Sequence, residues 1–146
     1  MEQHKNDAQV NSIISSENQI SLSSPKAFET ESVRLSLFLY QITEFSSMRN
    51  QPTPQLEPSP LYLNLHYLVT PCTQNTESDH IVLGKIMQVF ADNAILRGST
   101  LKGLNSTCYR LVLDSLSIND LNKLWSIFGT YYRLSLSYSI APVAIK

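Results

Sequence analysis

The sequence predicts an α/β fold of the α+β kind, a mixed, largely antiparallel sheet of about five strands with two helices packed on it. Three features point there. Apolar and polar residues alternate over five short stretches, two further stretches repeat apolar residues at three- and four-residue spacing, and proline or glycine closes most of them. With 146 residues and 42% apolar composition, the chain suffices for one core that buries about two thirds of its unfolded surface.

Residues 1–16 are polar apart from Ile13-Ile14 and are expected to form a flexible N-terminal segment ahead of a domain spanning 17–146. Gln19 to Ser23 alternates Ile20 and Leu22 with polar neighbours, and Pro25, which has no ladder donor, ends this short strand. From Val33 to Ile42, Leu35, Leu37 and Leu39 share one face. The other face turns from Ser36 to Phe38, Tyr40 and Ile42, the pattern of a central strand covered on both sides. Pro52, Pro54, Pro58 and Pro60 withdraw donors and fix φ, so Thr43 to Pro60 reads as a long loop and a place to look for a partner surface. Leu61 to Val69 resumes the alternation, with Leu61, Leu63, Leu65, Tyr67 and Val69 inward and Asn64 and His66 opposite, and Pro71 closes it.

Ser78 or Asp79 is expected to cap a helix whose stripe is Val82, Leu83, Ile86, Met87 and Phe90, ending near Asp92-Asn93. Gly84 inside it is tolerable if a neighbouring element approaches closely there. Asn93 to Ser106, with Gly98 and Gly103, reads as a second exposed loop. Thr107 to Leu113 follows as a strand, Tyr109, Leu111 and Leu113 opposing Cys108, Arg110 and Val112. Ser117 is the N-cap of a second helix, Asp120 sits at the capping-box position, and Leu116 and Leu121 can staple across the cap. Leu121, Leu124, Trp125 and Phe128 form its inward stripe, and Gly129 can end it in the left-handed conformation. In Leu134 to Ile140, Leu134, Leu136, Tyr138 and Ile140 oppose Ser135, Ser137 and Ser139. That serine face is too small and polar for a second core, so it is expected to meet water or another subunit. The predicted core is Leu37, Leu39, Leu63, Leu65, Ile86, Phe90, Leu121, Leu124, Trp125 and Phe128.

Composition and spacing exclude most chemistry. A net charge of −1 with 11 scattered basic residues offers no clustered cations for nucleic acid or anionic lipid. No apolar run reaches the roughly 20 residues of a membrane span, and the polar N-terminus lacks a signal-peptide core. Cys72 and Cys108 without CxxC spacing read as reduced cytosolic thiols. With His4, His66 and His80 they make no zinc-ligand spacing. The four glycines form no phosphate-binding loop, and no nucleophile elbow occurs. Cys72 has no cation or helix N-terminus placed to activate it, and Asp114 and Asp120 are explained by the start of the second helix. No catalytic, cofactor-binding or metal-ligating residue and no small-molecule substrate is expected.

Several stretches carry a resemblance by their order and spacing. These are LSLFLYQITE (Leu35–Glu44) with Met48-Arg49-Asn50, then PLYLNLHYLVTP (Pro60–Pro71), LGKIMQVF (Leu83–Phe90), LSINDLNKLW (Leu116–Trp125) with Phe128, and YRLSLSY (Tyr132–Tyr138). Together they resemble the N-terminal domain family of tail-terminator, or cap, proteins of contractile injection systems of the antifeeding-prophage and virulence-cassette type. The resemblance implies a homohexameric ring on the baseplate-distal end of the tube and sheath. Such a ring ends their polymerisation, carries no catalytic residue, and is cytoplasmic as part of the assembled particle. It makes self, tube and sheath proteins the partners, with Met48, Arg49, Asn50, Ser135, Ser137 and Ser139 as candidate interface residues. The alternatives are a tail-completion adaptor of the same fold at another axial position, or an unrelated binding module or small enzyme. Family members usually begin with an amphipathic helix whose periodicity Met1 to Ser16 lacks, so the resemblance leads us to expect a truncated or alternatively started chain.

Overall fold

Alternation becomes a single sheet whose two faces are filled by different helices. The computed structural model describes residues 13–25, 33–45, 61–97 and 108–145. Its strands are β1 (Ile20–Ser21), β2 (Leu35–Glu44), β3 (Leu61–Pro71), β4 (Ile95–Arg97), β5 (Cys108–Asp114) and β6 (Leu136–Ile145), in the spatial order β1-β2-β3-β6-β5-β4. β1 pairs with β2 in parallel, and every other pair is antiparallel. The sheet thus has six strands where about five are expected. The addition is β4, which lies in the predicted loop after Asn93. Three residues are too few to display an alternation, and pairing with Cys108 to Arg110 is what makes them a strand.

The α-helices that lie wholly among the described residues are α1 (Thr76–Asp92) and α2 (Ile118–Phe128). α1 starts earlier than its apolar stripe suggests. Its cap is Asn75, whose side chain accepts from the Ser78 amide at 3.1 Å, in place of the expected Ser78 or Asp79. The Asp79 carboxylate is instead occupied by the preceding turn, accepting from the Thr73 amide at 3.0 Å and from the Thr73 hydroxyl. At α2, Ser117 Oγ accepts from the Asp120 amide at 3.1 Å, and Gly129 takes φ 66°, the left-handed termination that its lack of Cβ permits. Gly84 is exposed, and a Cβ built there would meet nothing within 4 Å, so the close approach expected at this glycine does not occur among the described residues.

Strand register assigns the side chains to layers. Leu37, Val69 and Leu136 stand in one row across β2, β3 and β6, and Phe38, Leu68 and Ser137 in the next. Because adjacent rows face opposite ways, the first lies under α1 and the second under α2. On the α1 side, Leu35, Val69, Val82, Leu83 and Tyr138 are buried, with Leu37, Ile86 and Phe90 packed against them. On the α2 side Leu68, Trp125 and Phe128 are buried, with Phe38, Tyr40, Leu121 and Leu124 around them. Each such side chain contributes about 1.5–3 kcal/mol of burial, which is why both helices stay docked. Ile13 and Ile14, expected within the flexible segment, pack against the α1-side cluster.

The serine row of β6 corrects the sequence reading. Ser135 and Ser137 are 6% and 2% exposed, covered by the chain's own α2 layer rather than by water or a second subunit. Their size is the reason. A small residue beneath a large one leaves room for the Trp125 indole, whose Nε1–H donates to Ser135 Oγ at 3.3 Å. Register shifts between Leu39 and Gln41 and between Leu63 and Leu65 interrupt the ladders and curl the sheet. Leu39, Leu63 and Leu65 are accordingly half-buried and lie outside both clusters.

Candidate assembly surfaces

The curl leaves the outer half of the α2 face without a helix, and polar residues fill its near part. Pairing sets His66 opposite Ser139 and Asp114 opposite Ser137, so three strands converge on one carboxylate. Asp114 accepts from Ser137 Oγ and from Ser139 Oγ, each at 3.3 Å, and lies 3.3 Å from His66 Nδ1. His66 Nε2 meets Thr43 Oγ1 at 3.0 Å, and the Tyr40 hydroxyl meets Ser137 Oγ at 2.6 Å. Burial raises the Tyr40 pKa above its ordinary value, and the bond with Ser137 opposes part of that shift.

Carboxylate, imidazole and hydroxyl stand here in the order of a nucleophile relay, but both Asp114 oxygens are shared with serines of the adjacent strand. The chemistry on display is cross-linking of β2, β3, β6 and β5 through side chains. Sequence reading assigned Asp114 to a helix start and His66 to the polar side of a strand, as a surface or half-buried histidine. Only the strand order brings them together, and no local pattern encodes that. The other nucleophile considered, Cys72, is buried, and desolvation pushes its thiol up to about 11, so it stays protonated at neutral pH.

Beyond Ser139 the same face opens into a trough of about 770 Å³ lined by Phe45, Ile95, Arg97, Arg110, Val112 and Pro142, among others. Arg97 and Arg110 are exposed, and neither side chain makes an ion pair or hydrogen bond among the described residues. A second exposed surface lies along the outer side of α2 and just after it. Ile118, Ile127 and Tyr131 are 77%, 79% and 93% exposed there. Of the interface residues the sequence nominated, Met48, Arg49 and Asn50 lie outside the described residues. Ser135 and Ser137 are buried, and Ser139 is half-exposed and bonded to Asp114. Among the described residues no group of three or more His, Cys, Asp or Glu could hold a metal ion, and no helix is long and apolar enough to cross a membrane.

A family model described as the Pvc16 N-terminal domain matches residues 4–146. The chain belongs to the Pvc16 N-terminal domain family. This Pvc16 N-terminal domain is similar in structure to the PVC sheath/tube terminator of an extracellular contractile injection system in its extended state. There the identity is 21% and the TM-score 0.65, over 98% of this chain and 55% of that one. It is similar also to the tube terminating cap of the anti-feeding prophage, at 16% identity and a TM-score of 0.58, over 99% of this chain and 54% of that one. The domain therefore spans about half the length of the solved structures it matches, and at these identities the likeness is one of fold. Among curated proteins none matches the sequence.

Proposed function

We propose that this Pvc16 N-terminal domain is the ring-forming part of a cap that closes the baseplate-distal end of the tube and sheath of a contractile injection particle, made in the cytoplasm and incorporated there. The observation that carries the reading is the near-complete superposition of the chain on about half of a sheath/tube terminator, joined to the family match over residues 4–146. Its work is geometric rather than catalytic. A tube grows by head-to-tail contacts that never close, and growth stops when the last ring matches the tube on one face and offers no docking surface on the other. A homohexamer satisfies that requirement for a tube of sixfold symmetry. Met48, Arg49 and Asn50 are proposed contacts to tube or sheath, and Ile127 and Tyr131, exposed beside α2, replace Ser135 and Ser137 as proposed contacts between copies.

Deletion of the gene followed by imaging of particles is the test. Runaway or uneven tube lengths are expected, and native mass spectrometry of the purified chain mixed with tube protein is expected to give hexamers. Particles of normal length, together with a chain that stays monomeric and never decorates tube ends, would remove the proposal.

A further inference from the structure

We infer that the trough beside β4 is a binding surface for an extended acidic segment of a partner protein, held by Arg97 and Arg110 over an apolar floor. The two arginines project from the same face. Arg97 pairs with Cys108 and Ile95 with Arg110, so Arg97 and Arg110 are diagonal neighbours, which in a sheet lie about 7–8 Å apart. Two like charges at that separation, without a counter-charge among the described residues, make a positive pair that attracts an anion. In an extended segment, residues that point the same way recur every two positions, about 6.6–6.8 Å apart. Carboxylates at alternate positions of such a segment therefore match the arginine spacing.

The rest of the lining selects among anions. Ile95 and Val112 are 60% and 44% exposed, and Phe45 and Pro142 continue the apolar wall. This floor suits aliphatic side chains that follow the carboxylates at the next positions pointing the same way. A nucleic-acid strand calls for more cations and for aromatic stacking platforms than two arginines and one phenylalanine provide. The volume of about 770 Å³ exceeds what a single small anion fills. The inference holds or fails independently of whether the domain caps a tube.

The probe is a short synthetic peptide of the pattern Glu-Ser-Glu-Ser-Val-Ser-Val, whose Glu and Val side chains share one side when extended, with its Lys-for-Glu counterpart and a single-stranded oligonucleotide as comparisons, titrated into the whole chain at low salt. Backbone amide NMR shifts are expected from the acidic peptide at Ile95 to Arg97 and Cys108 to Val112, and from neither comparison probe. The Arg97→Glu, Arg110→Glu double variant is expected to bind the acidic peptide about tenfold more weakly and to gain affinity for the basic one, with each exposed pair contributing modestly and salt weakening both. Both arginines are exposed, so the variant's thermal unfolding should match the parent and keep the comparison valid. Absence of binding, shifts elsewhere on the sheet, unchanged affinity in the double variant, or tighter binding of the oligonucleotide would overturn the inference.

Discussion

Replacing Trp125 with alanine removes the largest side chain of the α2 layer, and the structure gives the size of the loss. The indole is 3% exposed and meets Phe128 edge-on at 5.2 Å and Tyr132 at 5.8 Å between ring centroids. Truncating a buried Trp costs about 3–5 kcal/mol through lost transfer energy and the cavity left behind. Within that total, each aromatic pair accounts for about 0.5–1.5 kcal/mol. Loss of the indole N–H also strips the buried Ser135 hydroxyl of its partner, worth about 1 kcal/mol. Against a domain stability of about 5–15 kcal/mol, Trp125→Ala should remove about a fifth or more of the total. Urea unfolding followed by circular dichroism measures it as a fall in midpoint at unchanged slope. Trp125→Phe keeps a ring against Phe128 and should lose less, while Ile127→Ala, two residues on and 79% exposed, should stay within about 0.5 kcal/mol. Equal midpoints for Trp125→Ala and Ile127→Ala would refute the placement of the indole between α2 and the serine row.

Gly84→Ala should stabilise the domain by about 0.5–1 kcal/mol, since a new Cβ meets no atom within 4 Å and glycine is the costlier residue in a helix interior; a lower melting temperature would count against that open surface. Alkali should destabilise the fold. Burial raises the Cys72 thiol from 9.0 to about 11 and moves the Tyr40 and Tyr138 phenols upward from 10.0, so from about pH 9 upward the unfolded chain loses protons that the folded one keeps. The stability these groups contribute is complete below the unfolded value and declines as pH rises through the folded one. Urea midpoints at about pH 8 and about pH 10 measure the fall, which should shrink in Cys72→Ala and whose absence would contradict the buried thiol.

Local pattern made much of the architecture legible. The capped stripe of α2, with Ser117 in front and Gly129 behind, needs only neighbours within a few turns, and the structure has both caps. β2 and β3 are long enough for period two to emerge from noise, and the two-sided apolar pattern at Phe38 anticipates a sheet buried on both faces. What escaped depends on distant partners. β4 exists because β5 pairs with it. The burial of Ser135 follows from a tryptophan ten positions earlier in the chain folding back over it, and buried Ser137 meets Tyr40 from 97 positions away. Asp114 meets His66 across a gap of 48 residues, and Arg97 meets Arg110 only because a hairpin aligns them. Periodicity assigns a residue to a face, but it does not say what that face will touch.

The carboxylate of Asp114 acts as a rivet through several planks. A strand sliding by one position past its neighbour would turn its side chains to the opposite face and strand Tyr40, His66 and both serines without partners at once. Peeling β5 from the sheet carries the same penalty, so its amides should exchange with deuterium together with those of β3 and β6 rather than ahead of them. Bending forces delivered at the arginine-lined rim would then reach the opposite margin of the sheet as one stiff plate.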